Sequence, residues 1–147
     1  MKVEKLDRVA VAVKNLDDVQ KLFAELFETT FERSPVETIS KITKDYGERG
    51  SKERETRYAK VFISPIGLEL VEMDPPCERE GVLSFHLKVS NLEQAKAEME
   101  REGIRLLTEI KHGGLKEAIF NPDDLHGVRL VLVEYETPTV MGAILKK

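Results

Sequence analysis

The chain has 147 residues, 41% of them hydrophobic and 34% charged, with a net charge of −4. That length suffices for one domain with a core, and the acidic balance supplies no overall field for nucleic acid. No apolar run approaches the ~18 residues of a membrane span, and the opening MKVEKLDRVA shows no apolar signal-peptide stretch. A single cysteine, Cys77, leaves no intrachain disulfide and suits a reducing cytoplasm, where we expect the protein. Charged residues far outnumber the three Asn and two Gln, a bias that fits a thermophilic source.

Residues 6–13 alternate as a strand, with Val9, Val11 and Val13 on one face and Arg8, Ala10 and Ala12 on the other. Asn15 can cap a helix that starts near Asp17, and Val19, Leu22, Phe23 and Leu26 then form one apolar stripe. A weaker strand is expected over 37–43. Residues 44–57 are charged and carry two glycines, the pattern of a solvated hairpin loop. Two strands follow at 58–63 and 68–73, and Asp74-Pro75-Pro76-Cys77 breaks the pattern as a linker. The order then restarts with a strand at 82–89. Ser90 with Glu93 makes a capping box for a helix bearing Leu92, Ala95 and Met99, and Gly103 stops it. Strands at 104–110, 116–121 and 128–134 close the series. The tail, with Val140, Met141, Ile144 and Leu145, can dock on the body or on a second subunit.

Strand–helix–strand–strand–strand thus appears twice. In the register that sets Asn15-Leu16 on Asn91-Leu92, Val9, Val11 and Val13 fall on Phe85, Leu87 and Val89. Arg8 falls on Ser84, and Ala10 on His86. Glu69-Leu70-Val71-Glu72 likewise parallels Val131-Leu132-Val133-Glu134. Two such α+β modules, about 5–74 and 82–135 with a linker at 75–81 and a tail at 136–147, can pair their sheets around a shared concave face. The face opposite the helices then carries Arg8, Glu69, Ser84, His86, Lys88, Arg129 and Val131. Polar groups on the inside of a curled sheet are the usual makings of a ligand site.

This double βαβββ pattern resembles the vicinal oxygen chelate superfamily: glyoxalase I, methylmalonyl-CoA epimerase, extradiol dioxygenases and bleomycin-resistance proteins. The resemblance runs from Leu6 to about Glu134. It is nearest to the epimerases in the opening strand (residues 6–13), in Gly81-Val82, and in Asn121-Pro122 followed by Gly127-Val128. The short segment from Pro75 to Glu80 departs from the extra inter-module helix of those epimerases. Members with a metal hold it on four side chains, and the resemblance places those positions at Arg8, Glu69, Ser84 and Val131. Only Glu69 keeps a ligand type. Arg cannot deprotonate to coordinate, and its charge repels an ion. We therefore expect no metal or other cofactor; a divalent ion would require a site rebuilt from Glu69, His86 and a loop histidine.

Arg8 and Glu69 should meet as an ion pair in place of the metal. Arg8, with Lys88 or Arg129, also offers a planar fork for the carboxylate or phosphate of an anionic ligand, beside Ser84. His86 can serve as a general base and Glu69 as its carboxylate companion, or His86 can be a hydrogen-bonded structural residue. His112 and His126 sit in loops that can reach the cavity mouth. Asp123 and Asp124 shape a turn, Gly113-Gly114 is a turn rather than a phosphate loop, and Cys77 has no activating surroundings. Three functions follow. The first is a metal-free glyoxalase/bleomycin-resistance-like protein binding a small organic molecule. The second is a divalent-metal-dependent epimerase or lyase, of methylmalonyl-CoA epimerase or glyoxalase type with a rebuilt site, acting through an enolate-type intermediate. The third is a non-catalytic dimeric interaction module. A homodimer is expected, without nucleic-acid or membrane partners.

Overall fold

The computed structural model describes residues 1–35, 38–40 and 57–146. Its elements are β1 (Val3–Ala12), α1 (Leu16–Leu26), β2 (Glu32–Arg33), β3 (Thr38–Ser40), β4 (Arg57–Ser64) and β5 (Leu68–Asp74). They continue with β6 (Gly81–Val89), α2 (Leu92–Arg101), β7 (Leu106–His112), β8 (Leu115–Phe120), β9 (Leu130–Glu134) and α3 (Val140–Ile144). Of the strand expected over 37–43 the described part is β3. The rest of it, and nearly all of the charged loop at 44–57, lie outside the described residues.

The strands form one mixed sheet in the order β2-β4-β5-β1-β6-β9-β8-β7, with β3 alongside β4. The strand register bears out the repeat. β1 runs parallel to β5 with Ala10 beside Glu69, and β6 runs parallel to β9 with His86 beside Val131. These are the pairs that the sequence alignment makes equivalent. β1 and β6 meet antiparallel, Arg8 opposite His86 and Ala10 opposite Ser84. Exchanging the modules maps one of those pairs onto the other, so a pseudo-twofold axis passes through the central strand pair.

Asparagine caps both long helices: Asn15 Oδ1 accepts from Asp18 N at 3.1 Å, and Asn91 Oδ1 from Gln94 N at 3.0 Å. The expected Ser90–Glu93 capping box does not form, because Ser90 lies one residue too early and its hydroxyl bonds Glu4 instead. On α1 the apolar stripe is only partly covered. Leu16 is buried and Val19 and Phe23 pack with Val13 and Leu70, but Leu22 and Leu26 stand exposed at the helix flank. α2 packs Leu92, Ala95 and Met99 against Ala118, Phe120 and Leu132. Leu70, Val71, Leu132 and Val133 are fully buried, each worth about 1.5–3 kcal/mol by the apolar surface removed from water. The tail docks on the body: Val140, Met141 and Ala143 of α3 join the inner core. No helix of the described residues is long and apolar enough to cross a membrane.

Candidate functional site

Alternation along four strands brings polar side chains to one point on the concave face: Arg8 from β1, Glu69 from β5, Ser84 and His86 from β6, and Glu117 from β8. All five are at least nine-tenths buried. The Arg8 guanidinium ties them together. Its Nε donates to Glu69 Oε1 at 3.2 Å, its Nη1 to Asp7 Oδ2 at 2.6 Å, and its Nη2 to Glu117 Oε1. One cation therefore crosslinks carboxylates of both modules. Asp7 is further held by the Tyr135 hydroxyl and lies 3.6 Å from Lys5. His86 stands between the two glutamates, Nε2 3.7 Å from Glu69 Oε2 and Nδ1 3.6 Å from Glu117 Oε1. Its Nε2 is 3.0 Å from Ser84 Oγ, whereas Nδ1 has no hydrogen-bond partner.

Electrostatics favours the ionised cluster. Burial pushes the Glu117 carboxyl up, but the charge of Arg8 and then the adjacent His86 ring outweigh it and hold it at about 2. Burial likewise opposes the charge on Arg8, and Glu69, Glu117 and Asp7 together overcome it, so its pKa is raised. Burial and the hydrogen bond to Asp7 push the Tyr135 hydroxyl up.

These groups form the floor of a cavity of about 330 Å³ whose walls come from both modules. Ala10, Val61, Ile63, Val71, Leu83, Leu115 and Ile119 make the lining mainly apolar. Ile144 of α3 closes one side. α3 is seated on the β7–β8 turn, where Gly114 N donates to Ala143 O at 2.9 Å. Gly113, at φ +56°, has no room for a side chain: a Cβ there would lie 2.5–2.9 Å from the carbonyls of Lys146, Ala143 and Ile144. A second cavity, about 310 Å³, lies beyond Arg8 and Asp7 against Tyr135, Val140 and Met141.

Of the residues singled out in the sequence, Arg8, Glu69, Ser84, His86 and Arg129 line the main cavity, as does His112 from the end of β7. Lys88 does not. It lies two residues beyond His86 on β6, about 6.6 Å further along the strand, with Nζ 4.1 Å from the Tyr135 ring centroid and 3.4 Å from Glu4. His126 is exposed, in the turn before β9 with φ +54°. Asp124 accepts from the Arg105 guanidinium at 2.8 and 2.9 Å and so ties down the turn, whereas Asp123 contributes its backbone N–H, which donates to Asn121 Oδ1. Glu117 was missed. The four-position pattern draws on first and last strands, while Glu117 comes from the strand before the last. Its signal was the alternation Leu115, Glu117, Ile119, a carboxylate in phase with two apolar side chains.

The residues present do not fit the metal of the resembling enzymes. Val131 has no donor, and the Arg8 guanidinium stands between the carboxylates that would have to converge on an ion. His86 directs different ring nitrogens toward Glu69 and Glu117. No group of three or more His, Cys, Asp or Glu among the described residues is arranged to hold a metal.

No family model and no curated protein matches the sequence. Solved structures do match. A single-residue variant of Streptomyces coelicolor methylmalonyl-CoA epimerase, in complex with 2-nitronate-propionyl-CoA, superimposes with TM-score 0.62 at 16% identity, over 92% of this chain and 100% of the epimerase. The Mycobacterium tuberculosis methylmalonyl-CoA epimerase gives TM-score 0.62 at 17% identity over 92% and 90% of the two chains. A hypothetical protein of Bacillus halodurans gives 0.61 at 17% identity over 92% and 96%. The chain therefore has the α+β fold of the methylmalonyl-CoA epimerases, members of the vicinal oxygen chelate superfamily.

Proposed function

We propose that this protein binds a small organic molecule in the cavity between its two modules, without the divalent ion on which metal-bearing members of the superfamily rely. The observation that carries the reading is a cavity of about 330 Å³, within the size range of small-molecule sites, with apolar walls and a few convergent polar groups. Side chains filling the inner face, as a pure interaction module would require, would leave no such volume. Arg8 supplies between the modules the crosslink that a cation would otherwise provide. The reading includes a homodimer and a cytoplasmic location. The apolar residues left exposed on the two central strands, Leu6, Val82 and Phe85, support the dimer, and sedimentation equilibrium tests it.

The direct experiment is a thermal-shift screen of small organic molecules on chelator-treated protein. A ligand at a hundredfold excess over its Kd stabilises by about 2.7 kcal/mol, and that stabilisation should weaken in Leu83→Trp, which narrows the cavity. A library that shifts nothing, or shifts that are the same in the narrowed cavity, would overturn the reading.

A second reading is favoured by the placement of His86. An imidazole with Ser84 on one nitrogen and a carboxylate 3.6–3.7 Å from each can move a proton next to a carbonyl, as an epimerase or lyase must. Solvent deuterium incorporation next to the carbonyl of acyl-CoA esters and 2-oxoaldehyde adducts, followed by NMR, tests it. Incorporation that depends on His86 and persists in chelator would establish this reading.

A further inference from the structure

We infer that the cavity selects a ligand with an apolar body and a hydrogen-bond-donating, cationic head, a primary amine rather than a carboxylate or phosphate. This deepens the binding function proposed above and rests on it. The sequence alone pointed the other way, because Arg8 offers a fork for anions. In the folded protein each nitrogen of that fork is already bonded to a carboxylate: Glu69, Asp7 and Glu117. Three carboxylates against one guanidinium leave the floor acceptor-rich. Glu69 Oε2 lies 3.7 Å from His86 Nε2, and Glu117 Oε1, which already accepts from Arg8, lies 3.6 Å from His86 Nδ1; both are too far for direct hydrogen bonds. His86 Nδ1 is buried with no hydrogen-bond partner.

With the ring proton on Nε2, where Ser84 Oγ can accept it, a donor placed between His86 Nδ1 and Glu117 gives the unpartnered ring nitrogen and the carboxylate a common partner, and an ammonium adds charge attraction to both glutamates. A carboxylate in the same place meets two like charges at a buried site and finds Arg8 engaged. The apolar walls take the rest of the molecule. Arg129 also lines the cavity, from the turn before β9, and it supplies the opposing expectation: if it sets ligand charge, anions win.

Calorimetry with three probes sharing one body decides between these: 4-phenylbutylamine, 4-phenylbutanol and 4-phenylbutyrate, on wild-type protein at neutral pH. The inference expects the amine to bind at least about tenfold more tightly than the carboxylate, with the alcohol between them. It also expects Glu117→Gln to remove most of that preference. The wild-type ranking needs no variant, so the test stands even where Glu117→Gln fails to fold. A carboxylate bound as tightly as the amine, or more tightly, overturns the inference and leaves the binding function intact. If none of the three binds, the inference falls, and the library screen alone decides the binding function.

Discussion

Removing the Arg8 guanidinium leaves Glu69 and Glu117 buried without the cation that bridges them. Breaking a buried ion pair in this one-sided way costs about 3–5 kcal/mol, so Arg8→Met should lower unfolding stability by that order in urea. A loss near zero would mean that the cluster is not the crosslink described here. The same cluster sets an acid limit. Glu117 is held at about 2 against an ordinary 4.5, so its contribution is complete above the ordinary value and is lost as pH falls from about 4.5 toward 2. The stability difference between wild type and Glu117→Gln should therefore shrink across that window, as read by urea unfolding at stepped pH. At this scale the sequence was informative about which face a side chain occupies and much less about position along it. Arg8, Glu69, Ser84 and His86 share phase and place. Lys88 shares only phase, because the strand carries it past the cavity to Glu4 and Tyr135. Glu117 needed the sheet order, which sets β8 two strands from β6, to be recognised as part of the floor.

Among the elements, α3 and the β7–β8 turn test whether the cavity wall depends on close backbone packing. Gly113→Ala forces a Cβ against three backbone carbonyls and keeps a left-handed φ, whereas Gly127, at φ +86°, has nothing within 4 Å of the equivalent atom. Both substitutions carry the strain of a side chain at positive φ, of order 1 kcal/mol. Gly113→Ala should cost at least about 1–2 kcal/mol more than Gly127→Ala in urea unfolding, because α3 must move; equal costs would show that the docking of α3 contributes little. The helix caps give a simpler expectation. Asn15→Ala and Asn91→Ala should each cost about 0.5–2 kcal/mol, while Ser90→Ala should have almost no effect on α2. The repeat itself carried that answer, since Asn91 is the counterpart of Asn15. The Ser-x-x-Glu pattern beside it fits a capping box by spacing, but a one-residue offset places its hydroxyl on Glu4. Leu22 and Leu26 show the limit of periodicity: it locates a helix face, and what covers that face depends on where the helix lies on the sheet.

For the whole molecule, the doubling of βαβββ was legible because strand phase, helix caps and the closing strands all repeated in one alignment. The sheet then reproduced that alignment as register, Ala10 beside Glu69 and His86 beside Val131. The chemistry was less legible, because it depends on which groups each charge meets, and those partners come from segments far apart in sequence. Arg8 looked like an anion fork until Glu117 and Asp7 occupied it. The central claim is that a guanidinium held by carboxylates of both modules stands where a divalent ion would act, at the floor of a cavity that binds an organic molecule. The most direct test is the metal content of purified protein, stripped and then equilibrated separately with zinc, cobalt, nickel, manganese and iron. The account predicts far less than one ion per chain in every case, and unchanged ligand-induced stabilisation. An ion bound near one per chain and lost in Glu69→Ala would contradict it.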